Sequence, residues 1–318
     1  MTRPEPRFSI VLPTHNRHDL LREALESLAA QTFADWEVVV VDDGSSQPVD
    51  AAEIRSIVGD RYTLHTHAHP KGVAAARNSG HMLARGEFIA QLDDDDQLAP
   101  AALELADRGL KHPFAPEILY IGVEAFGGEG AAVNARQRAA LDRTLANARS
   151  ASDQGLIIFG DALFDALLKS VPAAFQKPVF HRSILARVQP MNKDDWPESA
   201  WAIEAAARSI RCALLDLPVY RWRRDGQSYF SVSGQHVASM LGHIRMKQSL
   251  LDRIGQELPE RKRALKQALA QARFDYCYNM VSEGSGMPWD QFARSLTEAP
   301  GARHLRLLYR SQLRRRIR

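Results

Sequence analysis

Three apolar runs in the first hundred residues each end on polar or acidic residues. Phe8-Ser9-Ile10-Val11-Leu12 leads into Pro13-Thr14-His15-Asn16-Arg17, and Trp36-Glu37-Val38-Val39-Val40-Val41 into Asp42-Asp43-Gly44-Ser45. Glu87-Phe88-Ile89-Ala90 leads into Gln91-Leu92-Asp93-Asp94-Asp95-Asp96. Apolar, β-branched runs bounded by turn residues suit strands buried on both faces. Between them the period changes. Leu20, Leu21, Ala24, Leu25 and Leu28 recur at helical spacing from His18 to Gln31. Residues 50–58 and 72–83 read as helices and 61–67 as a strand. Residues 100–110 read as a helix opened by Pro100, a favoured place for proline. This βαβα alternation predicts an α/β fold with a doubly wound, mostly parallel sheet. In such a sheet the three polar strand ends lie side by side.

Further along, 117–126 reads as a strand, and Gly127-Gly128-Glu129-Gly130 is a break. The Ala- and Arg-rich stretch 131–154 reads equally as a helix or as a mobile excursion. Order resumes at Lys177-Pro178-Val179-Phe180-His181-Arg182. Residues 201–209 read as a helix, and 212–216 and 219–222 as two short strands. From Ser233 the chain reads as helical. Periodic stretches at 237–254 and 260–281 are separated by Leu258-Pro259, and Gly284-Ser285-Gly286 ends the second. There is no internal repeat. The division expected is 1–125 as a ligand-binding half, 126–232 as a second half with a variable insertion, and 233–318 as a helical C-terminal region.

The 318 residues, 45% hydrophobic, suffice for one large α/β domain with a helical appendage. No uninterrupted apolar run is long enough to span a bilayer. Met1-Thr2-Arg3-Pro4-Glu5-Pro6-Arg7 lacks a secretory apolar region, and Cys212 and Cys277 form no metal-spacing motif, so a cytoplasmic protein with buried thiols is expected.

Candidate chemistry concentrates at the third strand end. Four adjacent carboxylates repel one another, so such a run takes a cation or sits in water. Ligands of open α/β sheets bind outside the carboxyl ends of strands, and hard divalent cations take oxygen ligands. A divalent metal (Mn2+ or Mg2+) holding a phosphate-bearing substrate is one reading, and a solvated acidic loop is the other. Asp42 and Asp43 likewise read as binding groups or as a turn, since Asp-Gly-Ser is good turn chemistry.

Leu12-Pro13-Thr14-His15-Asn16-Arg17, Val41-Asp42-Asp43-Gly44-Ser45, Gly72-Val73-Ala74-Ala75-Ala76-Arg77-Asn78 and Leu92-Asp93-Asp94-Asp95-Asp96, in that order, resemble the signature of family 2 glycosyltransferases. The resemblance covers residues 8–125 well and 178–231 more loosely. It implies the GT-A fold, which binds a nucleotide-sugar donor, and it implies roles. Asp43 matches the aspartate that reads the base, and a carboxylate can accept the N3–H of uracil. Pro13, His15 and Arg17 line the same pocket, and Arg77 matches an arginine near the diphosphate. Asp95 matches the metal-binding aspartate of an Asp-x-Asp motif, with Asp93 or Asp94 toward the ribose. The family usually has a small residue where Asp94 stands.

A second acidic motif is matched by Asp194-Asp195-Trp196-Pro197-Glu198, with Asp195 as the base that takes the acceptor proton and Glu198 in reserve. Asp195 reads alternatively as a helix N-cap. Arg221 to Ser228 resembles a late basic loop that closes on donor phosphates. A Gln-x-x-Arg-Trp motif is absent, which argues against a processive synthase.

After Glu298 there is no acidic residue, while Leu305, Tyr309, Leu313 and Ile317 recur every fourth position among arginines. A basic amphipathic helix over 303–318 suits an anionic membrane at the inner face of the cell, next to a lipid-linked acceptor. A packed or solvated terminal helix is the alternative. No nucleic-acid motif accompanies the charge, so nucleic acid is not an expected partner.

The activity expected is metal-dependent, inverting transfer of one sugar from a nucleotide-diphosphate donor, UDP-linked for preference, to a hydroxyl of a glycan or lipid-linked acceptor in surface polysaccharide synthesis. The alternative is a catalytically silent nucleotide-sugar-binding module that scaffolds glycan assembly.

Overall fold

The first apolar run forms strand β1, Phe8–Thr14, buried along its whole length. Helix α1, His18–Ala29, turns Leu21, Ala24, Leu25 and Leu28 onto the sheet. β2, Trp36–Asp42, pairs in parallel with β1 in a register that sets Phe8 beside Trp36 and Thr14 beside Asp42. α2, Ala51–Val58, is capped by the Asp50 carboxylate, which accepts from the Ala52 amide at 2.8 Å. β3, Tyr62–Thr66, extends the parallel ladder outward from β2. α3, Val73–Leu83, returns the chain to β4, Phe88–Gln91, on the other side of β1. Even-numbered residues of β1 and β2 join α1 and α2 in one core. On the opposite face α3 lies so close to β1 that a β-carbon on Gly80 would come within 2.3 Å of Val11.

The structure is a computed structural model, and it describes residues 5–153, 155–192, 196–224 and 235–316, without the side chains of 235–237 and 313–316. Past β4 come β5, Gln97–Leu98; α4, Ala102–Leu110; and β6, Ile118–Phe126. The stretch left open by its sequence is one helix, α5, Gly130–Ala148, followed by β7, Ala151–Asp153. Then come β8, Leu156–Ile158; α6, Ala162–Lys169; β9, Pro178–His181; α7, Pro197–Ala207; and β10, Cys212–Arg223. The sheet runs β3-β2-β1-β4-β9-β6-β10-β8-β7, with β5 paired on β10. It is parallel from β3 to β4 and between β6 and β10, and β9 runs antiparallel between β4 and β6.

The two short strands expected at 212–216 and 219–222 are one. β10 keeps pairing with β6 through register shifts around Pro218, which has no N–H to give to a ladder. Gly122 makes the bulge possible, because a β-carbon there would lie 2.3 Å from the Leu217 carbonyl oxygen.

By contact the chain divides into two units, Met1–Lys193 with Pro197–Ser231, and Asp194–Trp196 with Val232–Arg318. The second consists of α8, Gln235–Glu257; α9, Pro259–Ser282; α10, Trp289–Glu298; and α11, Ala302–Arg316. Cys277, Val281, Phe292 and Leu307 form its core together with a smaller cluster at Ile244, Leu269 and Tyr276.

One buried group in the first unit couples the fold to pH. His81 of α3 lies 3.2 Å from the Gln91 amide and edge-on to Phe180. Burial, reinforced by the Arg77 charge, drives its pKa from 6.5 down to about 3. Between those values the unfolded chain takes a proton that the folded chain refuses, so stability is lost as pH falls, by about 1.4 kcal/mol per pH unit. His81→Gln should flatten the fall in urea-unfolding free energy between about pH 6 and about pH 4 by close to that slope. Parallel wild-type and variant curves would show that His81 takes up its proton in the folded state.

Candidate active site

The Thr14–Asp42 register brings the loops after β1 and β2 out of the sheet together. Asn16 adopts a left-handed backbone with φ 55° and ties them: its Oδ1 accepts from the Ser46 amide at 2.8 Å and hydroxyl at 3.0 Å. Asp42 folds back into its own loop and accepts from the Ser45 and Val49 amides at 2.9 and 3.1 Å, which is its turn reading. Asp43 is buried and held from three directions. Its Oδ1 accepts from His67 Nδ1 at 2.6 Å and the Lys71 amide at 2.9 Å, and Oδ2 from the Gly72 amide at 2.7 Å. Burial raises the Asp43 pKa, but His67 and the two amides outweigh it and hold the group below its usual range. His67 is in turn bonded through Nε2 to Ser79 Oγ at 2.9 Å. Pro13 is buried within β1, and exposed His15 lies on the Asp43 carbonyl at 2.9 Å.

The acidic run leaves β4 and splits by partner. Asp93 accepts from Arg77 Nη2 at 2.5 Å and from Lys177 Nζ at 2.6 Å. Burial opposes its ionisation, yet the two cations dominate and hold it well below the carboxylate range. Asp96 accepts from the Tyr220 hydroxyl at 2.7 Å and the Arg223 amide at 2.9 Å, and lies 3.4 Å from Lys177. The ammonium therefore belongs chiefly to Asp93, and burial pushes Asp96 up. Asp94 takes the Thr14 hydroxyl at 2.8 Å and Arg17 Nη1 at 3.1 Å, and burial raises it to about 6. Asp95 takes Arg17 Nη1 at 3.2 Å and no other side chain among the described residues.

Arg77 is buried in α3. Besides Asp93 it pairs with Glu198 in the first turn of α7, so both ends of its guanidinium lie on carboxylates. Asp195 lies outside the described residues, as do 225–228 of the late basic loop. Arg223 is drawn in, with Nε donating to the Asp95 carbonyl at 2.9 Å. Sequence reasoning missed Lys177, Tyr220, His67 and Thr14. Thr14 stood inside a motif that carries the resemblance but had no role of its own there, and Lys177 was read only as the point where order resumes.

Among the described residues no group of three or more His, Cys, Asp or Glu side chains would cage a metal ion. The donor chemistry still fits a different mode. A divalent ion used with nucleotides is commonly held by one or two carboxylates, with phosphate oxygens and water completing its shell. Asp95 is a partly exposed carboxylate suited to that use.

Residues 9–115 match the model of glycosyl transferase family 2. Those residues, from β1 to the turn after α4, are where the chain resembles that family. Along 117 residues it is 35% identical to the GalNAc(5)-diNAcBac-PP-undecaprenol beta-1,3-glucosyltransferase of Campylobacter jejuni, an alignment covering 34% of this chain and 37% of that one. The matched part is little more than a third of the length of such curated relatives. In fold, the structure is similar to TarS of S. aureus in complex with UDP-GlcNAc, with a TM-score of 0.62, 17% identity and coverage of 92% and 79% of the two chains. It also resembles the mannosyltransferase PcManGT of Pyrobaculum calidifontis in complex with GDP-Man and Mn2+, with a TM-score of 0.52, 18% identity and coverage of 96% and 79%. The expected GT-A architecture is thus the one observed.

Lys177, with Arg77, is a buried counter-ion of the acidic run. Losing the sole partner of a buried charge costs about 3–5 kcal/mol, and losing Lys177 should cost less, because Arg77 stays on Asp93 and the Tyr220 hydroxyl on Asp96. Lys177→Met should lower the urea midpoint accordingly. An unchanged midpoint would mean that the carboxylates are satisfied without it.

Proposed function

We propose that this chain is a non-processive, metal-dependent, inverting glycosyltransferase that moves one sugar from a nucleoside-diphosphate donor to a hydroxyl of a glycan or lipid-linked acceptor in surface polysaccharide synthesis. The observation that carries the reading is the gathering of Asp43, Arg17 and Asp95 at one end of the parallel strands, where such sheets bind ligands. Asp43 stays ionised, with three of its roughly four lone-pair positions occupied. It is therefore an acceptor held in one orientation, and the N3–H of uracil is the base edge expected to meet it. Asp95 would hold the divalent ion, which neutralises charge on the diphosphate leaving group as a Lewis acid. Asp93, clamped by Arg77 and Lys177, fixes the loop that carries Asp94 and Asp95. Asp195 is assigned as the base that takes the acceptor proton, two residues ahead of α7. Attack opposite the nucleotide inverts the anomeric carbon.

The test is a thermal-shift panel of UDP, GDP, CDP and ADP, with and without Mn2+. Wild type should be stabilised by UDP in a metal-dependent way, and Asp95→Ala should lose the effect. Asp195→Asn should keep the shift and lose transfer from UDP-sugars by roughly 10²-fold or more. A folded protein that no nucleotide stabilises would reverse the assignment. UDP binding with turnover indifferent to Asp195 would favour another base or a silent binding module.

The same reading sets the enzyme against an anionic membrane through residues 303–318. No helix among the described residues is long and apolar enough to cross one. α11 turns His304 and Leu307 inward and leaves Leu305 and Tyr309 70% and 66% exposed next to exposed Arg306. Apolar side chains on the free face of a basic helix suit the boundary between headgroups and acyl chains. Leu305→Ser with Tyr309→Ser, at positions outside the core, should reduce binding to phosphatidylglycerol vesicles several-fold, and neutral vesicles should bind neither protein. Equal binding by wild type and variant would remove α11 from the membrane contact.

A further inference from the structure

Arg17 is the cation on the outer side of the acidic run. Its Nη1 stands 3.1 Å from Asp94 Oδ1 and 3.2 Å from Asp95 Oδ2, while its side chain remains 32% exposed. The inner carboxylates do not need it, since Arg77 and Lys177 bond to Asp93, and Tyr220 and the Arg223 amide bond to Asp96. Asp95, by contrast, takes no other side chain among the described residues. A divalent ion on Asp95 would therefore share its carboxylate with a guanidinium already bonded to it, and the two cations repel. Arg17 is long and partly solvated, and it sits just ahead of α1, so it can leave without disturbing the core. Its planar fork pairs with phosphate oxygens as well as with a carboxylate.

We propose that Arg17 is a built-in stand-in for the metal: it occupies the outer carboxylates of the ligand-free enzyme and passes to the diphosphate when the nucleotide arrives. Metal and nucleotide then bind as a pair, each poorly without the other. The inference rests on the assignment of Asp95 as the metal ligand. It adds that the free site rejects a bare cation although it carries four consecutive aspartates.

Mn2+ titration of the full chain, with free Mn2+ read by electron paramagnetic resonance, tests this without any turnover. Wild type should bind Mn2+ weakly alone and at least about tenfold more tightly with UDP present, within the usual range of coupling between two sites. Arg17→Gln should bind Mn2+ alone about fivefold or more tighter than wild type and gain correspondingly less from UDP. Asp95→Asn, assayed with UDP, should lose Mn2+ binding. If Arg17→Gln binds Mn2+ alone no better than wild type, or not detectably, while Asp95→Asn loses binding with UDP, the role of Arg17 is overturned and the metal assignment stands. If Asp95→Asn binds Mn2+ as wild type does, the metal assignment fails, and this inference fails with it.

Discussion

Lys177 Nζ, 2.6 Å from Asp93, 3.4 Å from Asp96 and 2.9 Å from the Tyr220 hydroxyl, is the contact on which the acidic strand end depends. Its partners come from the loop after β4 and from β10, and Lys177 itself immediately precedes β9. The contact forms only if β9 is inserted between β4 and β6 and β10 lies beyond β6, which is the observed order. Buried carboxylates without cations cost several kcal/mol each, so a different strand order would carry a large penalty at this one place. Sheet topology and site chemistry are thus coupled through one ammonium.

The compensation is graded from inside to outside. Asp93 has two buried cations, Asp96 has a hydroxyl, an amide and a more distant share of Lys177, Asp94 has a hydroxyl and a partly exposed guanidinium, and Asp95 has that guanidinium alone. The inner groups are fixed before any ligand arrives. The outer pair is held by a side chain that water can release. Under the proposed reading the site would need both properties, because orientation requires rigidity and turnover requires that the ligand's charge be replaceable.

Much of this was legible in the sequence because it is local. The three apolar runs became β1, β2 and β4, and their polar ends came together as the parallel reading required, since each strand carries its loop within a few residues. What was hidden is what depends on separation. Lys177 lies 84 residues from Asp93 and Tyr220 lies 124 from Asp96, and no period or motif links positions so far apart. His67 stood in a polar stretch with no sign that its ring would meet Asp43. Arg77 was singled out in the sequence and lies on Asp93, but its second partner, Glu198, comes from α7, 121 residues on. The two strands read over 212–222 are one, interrupted at Pro218. The bulge that absorbs it depends on Gly122 in β6, which the local pattern of β10 does not contain.

In the helical unit, too, buried polar contacts decide what faces outward. Arg273 of α9 reaches Gln248 of α8 at 2.8 Å and pairs with Glu298 of α10. Ser295 of α10 donates to the Ala270 carbonyl at 2.8 Å and lies 3.1 Å from His304 of α11. The Ser295–His304 contact orients α11 together with the packing of Leu307, because unpairing it would strand polar groups in a core. With His304 and Leu307 committed inward, helical spacing sends Leu305 and Tyr309 to the opposite side. Their exposure is therefore a consequence of the inner contacts and not of a loosely attached end. The apolar stripe read from the sequence was only part of the pattern: α11 carries two apolar faces, one filled by its own unit and one left to the surroundings.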